Sequence, residues 1–188
     1  MEYAQSGERD ILSGSRTVGR WALGKTLAAL VVIAASAWAP AGAGTTFAQG
    51  LGDATGPLVA IGIAATYFGP GENAKNGGAR VADAAVISVG LAELAKPNLS
   101  VDGEGRHLHG FPSGHTAIAF GTATALAELH PKQKWAFYAG AALIGWSRVE
   151  SGAHSWKDVL GGAALGFGVG QWSVSANDGL MLARVFKF

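Results

Sequence analysis

Phe111-Pro112-Ser113-Gly114-His115-Thr116 leads into an apolar run that ends at Leu129, and this passage from loop to helix decides how the chain reads. Pro112 ends a loop, Ser113 is a residue type favoured at the N-cap, and Gly114 lets the backbone come close to a ligand. The first N–H groups of a helix lack internal partners and favour an anion ahead of them. His115 falls in the first turn, where an imidazole can protonate a departing alkoxide near neutral pH. A capped helix start with an incidental histidine would look the same, so the stretch needs a partner.

Ser147-Arg148, five residues, His154, three residues and Asp158 supply one. His154 and Asp158 are four apart, so on a helical turn they share a face. The carboxylate can then accept a hydrogen bond from one imidazole nitrogen and leave the other free to attack. Arg148 offers a planar fork that matches phosphate oxygens. A structural Arg148–Asp158 ion pair is the bland alternative, but buried charge in so apolar a chain is costly without a purpose.

The setting of these motifs is helical. The 188 residues allow one domain with a core. They are 49% hydrophobic and 14% charged, against about a quarter charged in a typical soluble domain. Beyond a polar segment, 1–20, apolar runs predict helices over Thr26–Ala43, Thr55–Phe68, Ala79–Ala95, Gly114–Leu129, Trp135–Trp146 and Asp158–Val174. The domain reading is a polar segment 1–20, a single helical domain 21–176 and a tail 177–188 of no evident role. Several runs are shorter than the ~20 residues that span a bilayer and are rich in Ala and Gly, so a compact helical bundle stays open beside a membrane one. Residues 1–43 read either as a retained first helix or as a cleaved signal peptide. With no cysteine, disulfides, thiolate metal sites and cysteine nucleophiles are excluded, and a net charge of +1 without a basic run argues against nucleic acid as a partner.

If all six runs cross a membrane with the N-terminus inside, ten of the 14 basic residues lie inside, the sign expected of cytoplasmic loops. The exceptions are Lys96, Arg106, Arg148 and Lys157. Loops 96–113 and 147–157 then share the outer face, which brings the two motifs together. Trp38, Trp135, Trp146, Trp156 and Trp172 near helix ends read as interfacial anchors, and Gly161, Gly162, Gly166, Gly168 and Gly170 as close-packing positions. Asp53 reads as a cap of the second helix, and His107 and His109 as solvated loop residues rather than metal ligands.

Together, Pro112-Ser113-Gly114-His115 and Ser147-Arg148-x5-His154-x3-Asp158 resemble the type-2 phosphatidic acid phosphatase superfamily, which includes bacterial acid phosphatases and vanadium haloperoxidases. The wider likeness runs from about Phe47 to Trp172. It implies an all-α, six-helix bundle, multi-pass in the bacterial inner membrane with its site facing the periplasm. It also implies a phosphatase acting on a phosphomonoester or diphosphate, such as a phosphorylated lipid or an isoprenoid diphosphate, without metal or other cofactor. By that resemblance His154 is the nucleophile that becomes phosphohistidine, Asp158 its orienting partner and His115 the general acid. Arg148, Ser113 and Gly114 hold the phosphate, and vanadate should inhibit.

One departure stands out. The family carries a lysine, six residues and Arg-Pro upstream, whereas this chain has Glu93 and Ser100-Val101 in those places. Lys96 and Arg106 are the candidates to supply the missing phosphate-binding charge from shifted positions. Three further readings follow: a periplasmic soluble acid phosphatase after signal cleavage, an impaired member kept for binding or structure, and a haloperoxidase, for which the chain is short.

Overall fold

The computed structural model describes residues 46–99, 110–176 and 180–181. Among them are six α-helices and no strand: α1 Phe47–Asp53, α2 Thr55–Tyr67, α3 Ala74–Leu99, α4 Gly114–Leu129, α5 Lys134–Glu150 and α6 Trp156–Ser175. A 3-10 turn, Pro131–Gln133, links α4 to α5. The helices expected from Thr55 onwards are all present. The expected helix Thr26–Ala43, its reading as span or signal, Trp38, Arg106, His107 and His109 lie outside the described residues. The seven-residue α1 was not foreseen. Its start is fixed by a capping box in which Thr46 accepts from the Gln49 N–H and the Gln49 side chain accepts from the Thr46 N–H.

Helix α4 is the centre of the bundle, with eleven of its sixteen residues buried. On one side Ala125 and Leu126 pack against Val81 and Ala84 of α3. On another, Ala119 and Ala123 meet Ala141 and Ile144 of α5. The third side is closer still. Gly162, Gly166 and Gly170 recur every four residues and so line one stripe of α6. A Cβ at Gly162 would stand 2.5 Å from the Ser113 carbonyl oxygen and one at Gly170 2.6 Å from Thr124 Cβ, while one at Gly166 would collide with the Ala117 carbonyl. The two helices therefore touch main chain to main chain, as small residues permit. Of the other glycines in the expected packing set, Gly161 lies under the Phe111 ring and Gly168 faces open space.

The far end of the bundle is closed by polar side chains of α3. Arg80 donates to the carbonyls of Ser173, Val174 and Ala176 at 2.9, 2.9 and 2.7 Å, satisfying the last turn of α6. Ser173 returns a hydrogen bond to the Arg80 carbonyl at 2.6 Å. Asp83, 1% exposed, accepts from the N–H groups of Leu180 and Met181, each at 3.1 Å. The start of the tail is thus fastened to α3.

None of the described helices is long and apolar enough to cross a membrane, so the expected crossings by these segments are not supported. The physical reason is visible in the longest of them. Helix α3 has 26 residues, but Lys75, Arg80, Asp83, Glu93 and Lys96 break its apolar character. The tryptophans do face outwards, Trp135, Trp146, Trp156 and Trp172 all being exposed, as are Leu143, Leu160 and Phe167 on the same two helices.

Candidate active site

Three helix ends meet at the opposite end from the Arg80 cluster. Ser113 is the N-cap of α4, and its fully buried hydroxyl accepts from the Thr116 N–H at 3.4 Å and the Thr116 hydroxyl at 3.1 Å. The Ser113 N–H donates to the Asp158 carbonyl at 2.9 Å, tying the start of α4 to the first turn of α6. Phe111-Pro112, joined by a cis peptide, precedes that contact.

Arg148 lies in the last turn of α5 and organises the connection that follows. Its carbonyl accepts from the N–H groups of Ala153 and His154, both at 3.0 Å. That turn needs Gly152, whose φ of +71° favours glycine. The fold of the loop thereby sets His154 beside the residue that carries the guanidinium. On the other flank the guanidinium packs on Gly52 of α1, where any Cβ would collide with it. Ser147, also fully buried, hydrogen-bonds back to the Ile144 carbonyl at 2.7 Å.

The His154–Asp158 relation differs from the expected one. His154 stands just before α6, whose N-cap is Ser155. Asp158 Oδ2 accepts from the Ser155 N–H at 2.8 Å and the Ser155 hydroxyl at 2.9 Å. His154 Nδ1 is 3.8 Å from the same oxygen, an ion-pair distance and too long for a hydrogen bond. Capping of α6 competes for the carboxylate, and His154 Nδ1 is left buried without a hydrogen-bond partner, as is Arg148 Nε.

Lys96 belongs to this assembly. It forms an ion pair of 2.5 Å with Glu93 one turn back on α3, and its charge is felt by both His115 and His154. The Glu93 carboxylate lies against the start of α4, with Oε1 2.6 Å from where a Cβ on Gly114 would be. Gly114 thus accommodates a carboxylate from within the chain. Asp53 does not cap α2, whose N-cap is Ala54 without a side-chain bond. It ends α1, and its charge acts on His115.

Burial pushes the His115 pKa below the usual histidine range, and the charges of Arg148, His154 and Lys96 lower it further, with Asp53 opposing them. Burial likewise lowers His154; Asp158 opposes this, Arg148 and Lys96 reinforce it, and the Gly110 backbone raises it. Both imidazoles are therefore poised neutral at pH 7, between the cations Arg148 and Lys96 and the carboxylates Asp53, Glu93 and Asp158. No cluster of His, Cys, Asp or Glu among the described residues could hold a metal ion.

An open cleft lies beside His115. Thr55, Val89, Glu93, Gly114 and Ile118 line it with that histidine. Asp53, Thr55 and the seat of Glu93 were not anticipated as parts of the site. The only signal for α1, which brings Asp53 and Gly52 here, was the Thr46-x-x-Gln49 capping pattern.

Over 79 residues the chain is 40% identical to the lipid A 1-phosphatase of Porphyromonas gingivalis, an alignment that covers 40% of this chain and 18% of that protein. The chain thus matches less than a fifth of that relative's length. No solved structure matches. The sequence pattern of the PAP2 superfamily matches residues 78–181, more than half of the chain and all of α4, α5 and α6. On that match and on the two motifs assembled at these helix ends, the chain belongs to the PAP2 superfamily.

Proposed function

We propose that the chain is a phosphatase that removes phosphate from a lipid-linked phosphomonoester or diphosphate through a phosphohistidine intermediate. The observation that carries this reading is a pair of buried, unpartnered nitrogens beside the two histidines. Arg148 and Lys96 act on both imidazoles, and Arg148 Nε and His154 Nδ1 have no hydrogen-bond partner. Such an arrangement is costly when empty and favourable around a phosphate.

In the first step the free nitrogen of neutral His154 attacks phosphorus. A P–N bond forms, the P–O bond to the alcohol breaks, and protonated His115 gives its proton to the leaving oxygen. In the second, water attacks phosphorus as His115 takes one of its protons; a P–O bond forms, the P–N bond breaks and returns neutral His154, and inorganic phosphate leaves. Arg148, Lys96 and the α4 start at Ser113-Gly114 stabilise the charge on the transferring phosphoryl group. Asp158 orients His154 from 3.8 Å, and a small approach of the ring would complete their hydrogen bond. Arg106 remains a candidate for a further phosphate contact.

A lipid-linked substrate is supported by the named relative and by the exposed apolar side chains of α5 and α6, which suit the protein to a membrane surface. Phosphate release from a lipid phosphate, with an acid-labile phosphoprotein trapped by rapid quench and mapped to His154, tests the mechanism. An active His154→Ala variant would overturn it.

A further inference from the structure

Arg148 supplies the phosphate-binding fork of the proposed mechanism, on a side chain long enough to take many rotamers. Its Nε is buried without a hydrogen-bond partner, so no bond at that atom aims the fork. Resting on the phosphatase reading, we propose that Gly52 is a positioning residue, its bare main chain being the platform that holds the Arg148 guanidinium at the phosphate end.

Gly52 is buried in α1, a helix outside residues 78–181 that packs against α5, the helix carrying Arg148. The three heavy atoms nearest to a Cβ at this position all belong to Arg148: Nη1 in collision, Cζ at 3.2 Å and Cδ at 3.3 Å. A methyl group there would therefore meet the arginine before anything else. Because it meets the end of a flexible side chain and not main chain, the clash is relieved by moving the guanidinium rather than by parting the helices. The platform thus constrains Arg148 and bears little on the fold. From this place the charge of Arg148 reaches both imidazoles, and a fork already held loses less freedom when phosphate arrives. Gly50, on the same helix, gives the contrast, for a Cβ there meets nothing within 4 Å. Replacing either glycine by alanine favours the helix to the same degree, so only the contact with Arg148 separates the two.

The experiment takes the full chain in detergent and compares Gly52→Ala with Gly50→Ala, each in the wild-type and the Arg148→Lys background. It reads phosphate release from phosphatidic acid and an isoprenoid diphosphate, and vanadate binding by calorimetry. Gly52→Ala should lower kcat/KM about 10- to 100-fold and weaken vanadate by a like factor, with Tm close to wild type. In the Arg148→Lys background, where the fork is already lost, the same substitution should cost less than about twofold. Gly50→Ala should leave both readouts unchanged. No loss from Gly52→Ala, the same loss from Gly50→Ala, or an equal loss or unfolding in both backgrounds would overturn the platform while leaving the phosphatase reading intact. Vanadate bound by wild type without phosphate release would overturn the phosphatase reading, and the vanadate affinities alone would then decide the platform. Neither binding nor release would overturn both.

Discussion

The two ends of this bundle carry the same kinds of charged residue and treat them in opposite ways. At one end Arg80 spends its donors on the carbonyls that close α6, and Asp83 holds two amides of the tail. At the other, Arg148 leaves Nε unpartnered, and Asp158 is shared between a helix cap and a histidine that it does not quite reach. A polar group saturated by its own chain stabilises the fold, while one buried and left short is waiting for something else.

The largest expected effect falls on the unsatisfied end. His154→Ala should cut turnover by on the order of 10⁴-fold with the melting temperature nearly unchanged, as measured by phosphate release and calorimetry. His115→Asn comes next, by about 10²–10⁴-fold on an alkyl phosphate. Its deficit should shrink on p-nitrophenyl phosphate, whose leaving group needs no proton; an equal deficit on both would remove the acid role. Arg80→Ala should reverse the pattern, costing about 2–3 kcal/mol of stability in denaturant titrations and leaving kcat per folded molecule unaltered.

The pH profile gives the finest distinction. On the proposed mechanism turnover needs His154 neutral and His115 protonated, and both pKa values lie below the ordinary 6.5. As pH rises, His115 loses its proton before 6.5 is reached, so kcat/KM should peak and begin to fall on the acid side of that value. A bound phosphate raises both pKa values, so the kcat profile should lie to the alkaline side of the kcat/KM profile. Vanadate, a mimic of the pentavalent state, should compete with substrate at this end, and Arg148→Lys should weaken it because the charge stays but the fork is lost.

Much of this contrast was legible in the sequence on one side and hidden on the other. Apolar runs punctuated by Gly, Pro and Asp gave α2 to α6, and Ser113 and the spacing from Arg148 to Asp158 marked the candidate site. Helix α1 was passed over because seven residues with two glycines carry no apolar period. The seat of Glu93 against Gly114 depends on how far α3 slides along α4, which local pattern does not encode. The same holds for Arg80 and Asp83, whose partners lie more than 90 residues away. The missing hydrogen bond of His154 reflects a competition inside Ser155-x-x-Asp158, where the cap and the orienting partner are one residue.

The stripe of Gly162, Gly166 and Gly170 acts as a ruler between two helices. With peptide planes of α4 and α6 in contact, the separation of the helix starts that carry Ser113 and Ser155 is measured in main-chain dimensions, which no side-chain repacking can stretch. On the proposed mechanism, loops and outer faces can be rebuilt while that spacing stays fixed, and a single methyl group on the seam would lengthen it.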